Sequence, residues 1–412
     1  MSRGIPLSRR LTRIASVLGL LIVSAAPFNT DLPVVSAQER PALLVDDTET
    51  ANPELVEVAV ADPLGFGISG QTLRVPPGYS VSVVAGGLGG PRFMDFDDAS
   101  NLLVGAADDG VVYRFPYLAA DGRLGEPEVL IAGLQQPASV TVFTADDGQY
   151  LYVGEETQVS RFPYDPAGPI GAQQVIIPDL PAGGHRTRTV AFGSDEMLYL
   201  AVGSSCNICL EQEPIRATVS RANPDGTDLN IFATGMRNPV GLAFQPGTDL
   251  LWATVNERDN QGNEIPPDLV TVVMEGADYG WPGCIPPDAK PQEAESECFG
   301  TTPPTIGIQA HSAPLGLAFL EGEEIPGAVN GDLIVAQHGS WNREPPAAPK
   351  LLLIDFEAGA PVAARDFVTG WQDASGERWG RPAGVVVNPD GSLIISDDTT
   401  GLLYRISAEG RG

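Results

Sequence analysis

The chain has three histidines in 412 residues, and one of them, His185, stands in GGHRTRTVAFG between glycines and the arginines Arg186 and Arg188. Imidazole is the side chain that exchanges a proton near neutral pH. A guanidinium grips a carboxylate in a bidentate fork. Further along come Arg237 and Asn238 in MRNP, Glu257-Arg258-Asp259 in NERD, Arg343 in HGSWNR and Arg381 in GRPAG. Each group alone has an ordinary reading. A single loop arginine or histidine is commonly structural, and Glu257-Arg258-Asp259 also reads as a local ion-pair cluster. Gathered at one place, they would supply a base, cations for an anionic guest and carboxylates for a metal.

Residues so far apart act together only if the fold converges them, and a repeat provides that. A Gly or polar residue precedes Pro, and an apolar residue follows five positions later. The copies are GGPRFMDF (Pro91 to Phe96), QQPASVTV (Pro137 to Val142), RNPVGLAF (Pro239 to Phe244), SAPLGLAF (Pro314 to Phe319) and GRPAGVVV (Pro382 to Val387). The His185 stretch fits the frame with Thr187 in the Pro slot and Phe192 five later, which makes six copies. A second strand follows each copy, as in NLLVGAADDG, LYLAVGSSCN and SLIISDDTTG. Spacings of about 45 to 75 residues suit propeller blades carrying loop insertions. Short Val/Ile/Leu/Tyr/Phe runs bounded by Gly, Pro, Asp and Asn predict an all-β chain and a six-bladed β-propeller over residues 76–412. GYSVSVVAG, before the first copy, is free to complete the last blade and remove its open edge.

Equal phase in such a ring means equal radius and height. The slots before each Pro position hold Gln136, His185, Arg186, Arg237, Asn238 and Arg381, with His311 close by. The loops after the second strands carry Asn256 to Asp259 and His338 to Arg343. All three histidines, several arginines and the acidic cluster are therefore expected at one mouth of the channel. Asp108-Asp109 and Asp397-Asp398 read as turn residues.

The formal charge of −29 disfavours nucleic acid and anionic membranes as partners. Arg3, Arg9, Arg10 and Arg13, the apolar run Ile14 to Ala26 and Val35-Ser36-Ala37 read as a signal peptide over residues 1–37. The run is short for a membrane span, so the mature chain is expected to have none and to be secreted or periplasmic; an uncleaved anchor is the alternative. Residues 38–75, acidic and Pro-containing, read as a mobile linker. Cys206, Cys209, Cys284 and Cys298 read first as two disulfides, with a single four-thiolate zinc site as the rival.

GHRTRTVAFG, GMRNPVGLAF, NERD, YGWP, HGSWNR and RPAGVVVNPDG, in that order, resemble the soluble sugar dehydrogenases that use pyrroloquinoline quinone (PQQ), of the glucose/sorbosone dehydrogenase type. VGSSCNIC resembles the sorbosone branch. The resemblance implies an exported, PQQ- and calcium-dependent oxidoreductase that oxidises an aldose or sorbosone-like sugar by base-assisted hydride transfer to the quinone and passes electrons to an external acceptor. It implies His185 as the base, and Arg237 with Asn238 against the quinone and its developing charge. It places Arg188, Arg343 and Arg381 near the cofactor, and calcium at Glu257, Arg258 and Asp259, with Asp268 as a further candidate. A lysine of the glucose-oxidising branch is replaced here by the AQHGSWNREPPAAPK insertion. Ala383 stands where that branch has a second arginine, and GAADDG lacks a polar residue found over the sugar. These departures bear on glucose specificity more than on the cofactor. The alternatives are a non-catalytic propeller that binds a ligand or protein on the same face, and a calcium-dependent lactonase.

Overall fold

Each copy of the repeated phrase becomes the innermost strand of one blade. In the computed structural model these strands are Pro91–Phe96, Ser139–Ala145, Arg188–Phe192, Pro239–Phe244, Pro314–Phe319 and Pro382–Val387. The structure describes residues 43–44, 55–118, 123–285, 298, 300–321, 328 and 330–408. The leader expected over residues 1–37 lies outside them. Six sheets of four or more strands, antiparallel except for one parallel pair in each of two, follow one another around the ring, and no helix occurs among the described residues. The expected six-bladed β-propeller is therefore the fold.

The second strand of each blade is buried on both faces, because the neighbouring blades pack against each side. That is why LLVGA, LYLAV, LWATV, LIVAQ and LIISD read as unbroken apolar runs rather than alternations; all five are buried throughout. The core accordingly lies in wedges between blades. Tyr199, Ala201 and Val219 of the third blade meet Leu251, Ala253 and Leu269 of the fourth. Near the channel, hydroxyls stitch one blade to the next. Thr254 Oγ1 accepts from Gly241 N at 2.8 Å and donates to Leu315 O at 2.6 Å. Ser396 Oγ does the same between Gly384 N and Arg92 O, at 2.8 and 2.5 Å.

The ring closes as the sequence suggests. Tyr79–Ala85 pairs antiparallel with the C-terminal strand Leu402–Ala408, aligning Val81 with Ile406. Of the linker expected over residues 38–75, the described part, residues 43–44 and 55–75, carries strands. Val56–Ala61 adds to Tyr79–Ala85 in parallel, and Thr72–Val75 pairs antiparallel with Val56–Ala61. Leu73 and Val75 are fully buried in the cluster that contains Phe367 and Trp371. The period-two alternation of VEVAVA and TLRV carries this packing, although acidic neighbours hide it in composition. Leu43–Leu44 also pairs, in parallel, with Ile306–Gly307 of the fourth blade.

Both disulfides form, Cys206–Cys209 and Cys284–Cys298. With all four sulfurs bonded, the zinc reading is excluded.

Candidate active site

Contacts around one end of the channel link loops from all six blades; at the second, Gln136 Nε2 donates to Ala107 O at 3.2 Å and Glu156 accepts from Gly183 N at 2.9 Å. Arg237, at the entry to the fourth blade, donates to Asn207 of the third-blade loop and to Asn256, Glu257 and Asp259 of its own. Asp259 also accepts from Asn342 Nδ2 of the fifth-blade loop at 3.0 Å. Arg381 of the sixth blade donates to the carbonyls of His338 and Gly339 at 2.8 and 2.9 Å. Asp398 joins His338 Nε2 at 2.7 Å to Arg92 of the first blade at 2.6 Å. These contacts bring Arg237, Glu257, Asp259, Arg381 and the His338–Asn342 loop together.

Not all of the predicted residues line a cavity. A cavity of about 360 Å³ is lined by Arg92, Gln136, His185, Arg186, Asn238 and Asp398, among others. A second cavity, of about 420 Å³, opens among the inner strands and is lined by Phe96, Phe192, Phe244 and Phe319 with Asp95 and Glu321. It contains neither histidine nor arginine, so it offers no cation to an anionic guest; its Asp95 carboxyl is pushed up to about 6 by burial.

His185 is held by Ser204. Its backbone N donates to Ser204 O at 3.0 Å, and its Nδ1 lies 3.0 Å from both Ser204 O and Ser204 Oγ. Ser204 Oγ donates onward to Cys206 O at 2.7 Å. A proton on Nδ1 satisfies the Ser204 carbonyl and leaves Nε2 as the lone-pair nitrogen. Burial, followed by the positive Arg237, pulls the imidazole down to about 4 against the opposing Ser204 hydrogen bond. The ring is neutral at pH 7. Gly203 permits this arrangement: a Cβ there would lie 2.6 Å from His185 Cβ and 2.3 Å from Asn238 Oδ1.

Arg188 differs from its expected role. It is fully buried and donates to the carbonyls of Pro181, His185 and Thr187 at 2.6 to 3.0 Å. Arg216 caps Pro181, Ala182, Gly183 and Gly203 in the same way. The GGHRTR loop has no strand partner for these carbonyls, and buried carbonyls need donors. Two guanidinium forks supply them. Burial and the adjacent Arg216 pull Arg188 down to about 10. Arg188 is a strut beneath His185 and does not line the cavity.

Arg237, Arg343 and Arg381 likewise hold protein groups. Arg237 is 4% exposed and uses all three of its nitrogens on Asn207, Asn256, Glu257 and Asp259. Arg343 pairs with Glu264 at 3.0 Å and donates to Asn263 O at 2.7 Å. Arg381 binds the two carbonyls named above, and burial lowers it. Asn238 does line the cavity, and its buried Oδ1 has no hydrogen-bond partner.

The residues expected to hold calcium do not present a ligand set. The Glu257 carboxylate is buried against Arg258, and burial pushes it up. Arg258 turns to the carbonyls of Pro282 and Cys284, at 3.1 and 2.5 Å. The Asn256 and Glu257 carbonyls and the Asp259 carboxylate all receive Arg237. A guanidinium therefore already sits among the oxygens of this loop. Asp268 lies beneath, accepting from Glu257 N and Ala313 N at 2.8 Å each, and burial pushes it up to about 7 against those donors. Cys206, Cys209 and Glu211 form the one metal-sized group of donors among the described residues, and its two sulfurs are bonded to each other.

Sequence reasoning missed Arg92 and Asp398. Burial opposes charge on Asp398, yet hydrogen bonds from His338 and Arg92 hold its carboxyl well below the usual range. Arg92 follows the first-blade Pro slot, so its phase was the available signal; Asp398 looked like a turn. His311, expected at the mouth, is buried, with Nε2 2.7 Å from Gly262 O.

Comparison with known proteins bears on this geometry. The TrAA12-like family model matches residues 73–286 and 284–409. An uncharacterised protein of Borreliella burgdorferi is 25% identical over 355 residues, covering 82% of this chain and 92% of that protein. A PQQ-dependent pyranose dehydrogenase of Coprinopsis cinerea is 25% identical over 407 residues, covering 81% of this chain but 54% of the relative. The chain thus spans about half the length of that dehydrogenase. The holo PQQ domain of pyranose dehydrogenase from Coprinopsis cinerea superposes with a TM-score of 0.70 at 22% identity, covering 85% of this chain and 100% of the domain.

Proposed function

This chain belongs to the TrAA12-like family, and we propose that it is an exported quinoprotein dehydrogenase that oxidises a pyranose sugar with PQQ. The observation that carries this reading is a neutral, oriented histidine on the wall of a polar cavity beside unpaired positive charge. The cavity of about 360 Å³ suits a planar tricarboxylate of PQQ's size. Arg186 lines it, is exposed, and has no ion pair among the described residues. Arg92 brings a second cation, and Asn238 Oδ1 an unmet acceptor. Carboxylates of the cofactor would meet Arg186 and Arg92. When bound, PQQ supplies a two-electron acceptor.

His185 Nε2 takes the proton of the substrate hydroxyl at the anomeric carbon. Removing that proton makes the carbon a better hydride donor, and the imidazole, unprotonated at pH 7, is free to accept it. Ser204 keeps the ring in the tautomer with Nε2 unprotonated, while Arg188 and Arg216 hold the loop that carries it. Arg237 adds positive charge behind the imidazole and ties the third- and fourth-blade loops together. No step uses a metal at residues 256–259, where Arg237 occupies the oxygens. Two disulfides support export, since such bonds persist in oxidising compartments.

The test is to add PQQ to the purified chain and follow dye reduction with a panel of pyranoses. The reading expects saturable PQQ binding and turnover of at least one sugar. Arg186→Ala should weaken PQQ binding about tenfold, the equivalent of one charge-assisted hydrogen bond. A chain that binds no PQQ would instead be a binding platform.

A further inference from the structure

Sugar oxidation releases two electrons and two protons, and the electrons must leave through the molecular surface. We propose that the apolar tips of the third- and fifth-blade loops form a docking surface for a cationic, one-electron carrier protein; this rests on the dehydrogenase reading above.

The two most exposed large apolar side chains among the described residues are Leu210, at 81%, and Trp341, at 73%. Leu210 belongs to the loop whose Ser204 holds His185, Trp341 to the loop whose Asn342 holds Asp259, and Ile208 is exposed two residues before Leu210. Their loops meet at one residue: Asn207 binds the Asp259 backbone from one side, and Asn342 binds its carboxylate from the other.

Neither loop is loose. Cys206–Cys209 closes the first, and Glu211 accepts from Ser205 N and Ser205 Oγ at 2.7 Å each. In the second, Ser340 and Ala347 exchange hydrogen bonds at 3.0 and 2.8 Å, and Arg343 is fixed to Glu264. Rigid loops that hold an indole and a leucine in water gain nothing for folding. Exposed apolar groups on a fixed frame are the anchors of protein interfaces.

The surrounding charge selects the partner. Glu211, Glu213, Glu264 and Glu344 stand near the apolar tips in sequence, while the cations of the same loops are engaged: Arg343 is paired with Glu264, and Arg216 and Arg258 are buried on backbone carbonyls. The whole chain carries −29. An acidic collar around an apolar centre steers and orients a basic protein. Each oxidised sugar then needs two visits, each removing one electron, with both protons passing to solvent.

Ferricytochrome c serves as the probe. Its binding to the full chain is measured by surface plasmon resonance at low ionic strength, and its reduction is compared with that of a small dye. Binding should weaken steeply with added salt. Trp341→Ala and Leu210→Ser should each weaken binding and slow cytochrome reduction about tenfold, while dye turnover and its sugar KM stay unchanged. Dye turnover with unaltered cytochrome binding in both variants would overturn the docking surface alone. A raised sugar KM for Trp341→Ala in the dye assay would assign the indole to the substrate and also overturn it. Absence of dye turnover with every sugar would remove the dehydrogenase reading and this surface with it.

Discussion

Burial and the adjacent Arg237 pull the His185 imidazole down to about 4, from an ordinary 6.5. The acid limb of kcat/KM should therefore fall near pH 4; a limb at pH 6.5 in the measured profile would show an unperturbed base. The same shift acts on stability. The unfolded chain holds this proton more tightly, so the His185 contribution weakens as pH drops from 6.5 towards 4. At this scale the sequence told which residue types converge, because phase in a repeat places them. It did not tell which arginine faces the cavity. Arg188, Arg237 and Arg381 were drawn to backbone carbonyls that lack partners, leaving Arg186 and Arg92 on the wall. Which carbonyls lack partners depends on how each loop bends, and residue type does not encode that.

Strands were legible because their burial is simple. Six inner strands share a frame, and second strands sandwiched between blades become continuous apolar runs. Val56–Ala61 and Thr72–Val75 escaped notice because the acidic stretch before them dominated their composition. The hydroxyl stitches between blades also left no sequence signal, yet they set the seam geometry near the channel. Thr254 is the clearest, since one hydroxyl serves Gly241 N and Leu315 O. Thr254→Val keeps the shape and orphans both groups, at about 1–3 kcal/mol each. Urea unfolding should show the loss with an unchanged m-value. A variant as stable as the parent would mean that the stitches do not hold the blades in register.

The ring as a whole depends on two chain segments that meet far from each other in sequence. Tyr79–Ala85 completes the sixth blade against Leu402–Ala408, and its Tyr79, Val81 and Val83 are buried. A chain beginning after Ala85 would expose that edge and the wedge behind it. Size-exclusion chromatography should find it aggregated, and a monomer with the parent's melting temperature would contradict the closure. Circular closure also makes the active face possible, because it sets His185 of the third blade beside Arg92 of the first and Asp398 of the sixth around one cavity. The most direct test of that face is single-turnover sugar oxidation by the PQQ-loaded His185→Ala variant. The predicted result is PQQ affinity close to the parent's with oxidation slowed at least about a hundredfold, the usual worth of a positioned base. Oxidation at near the parent's rate would contradict it.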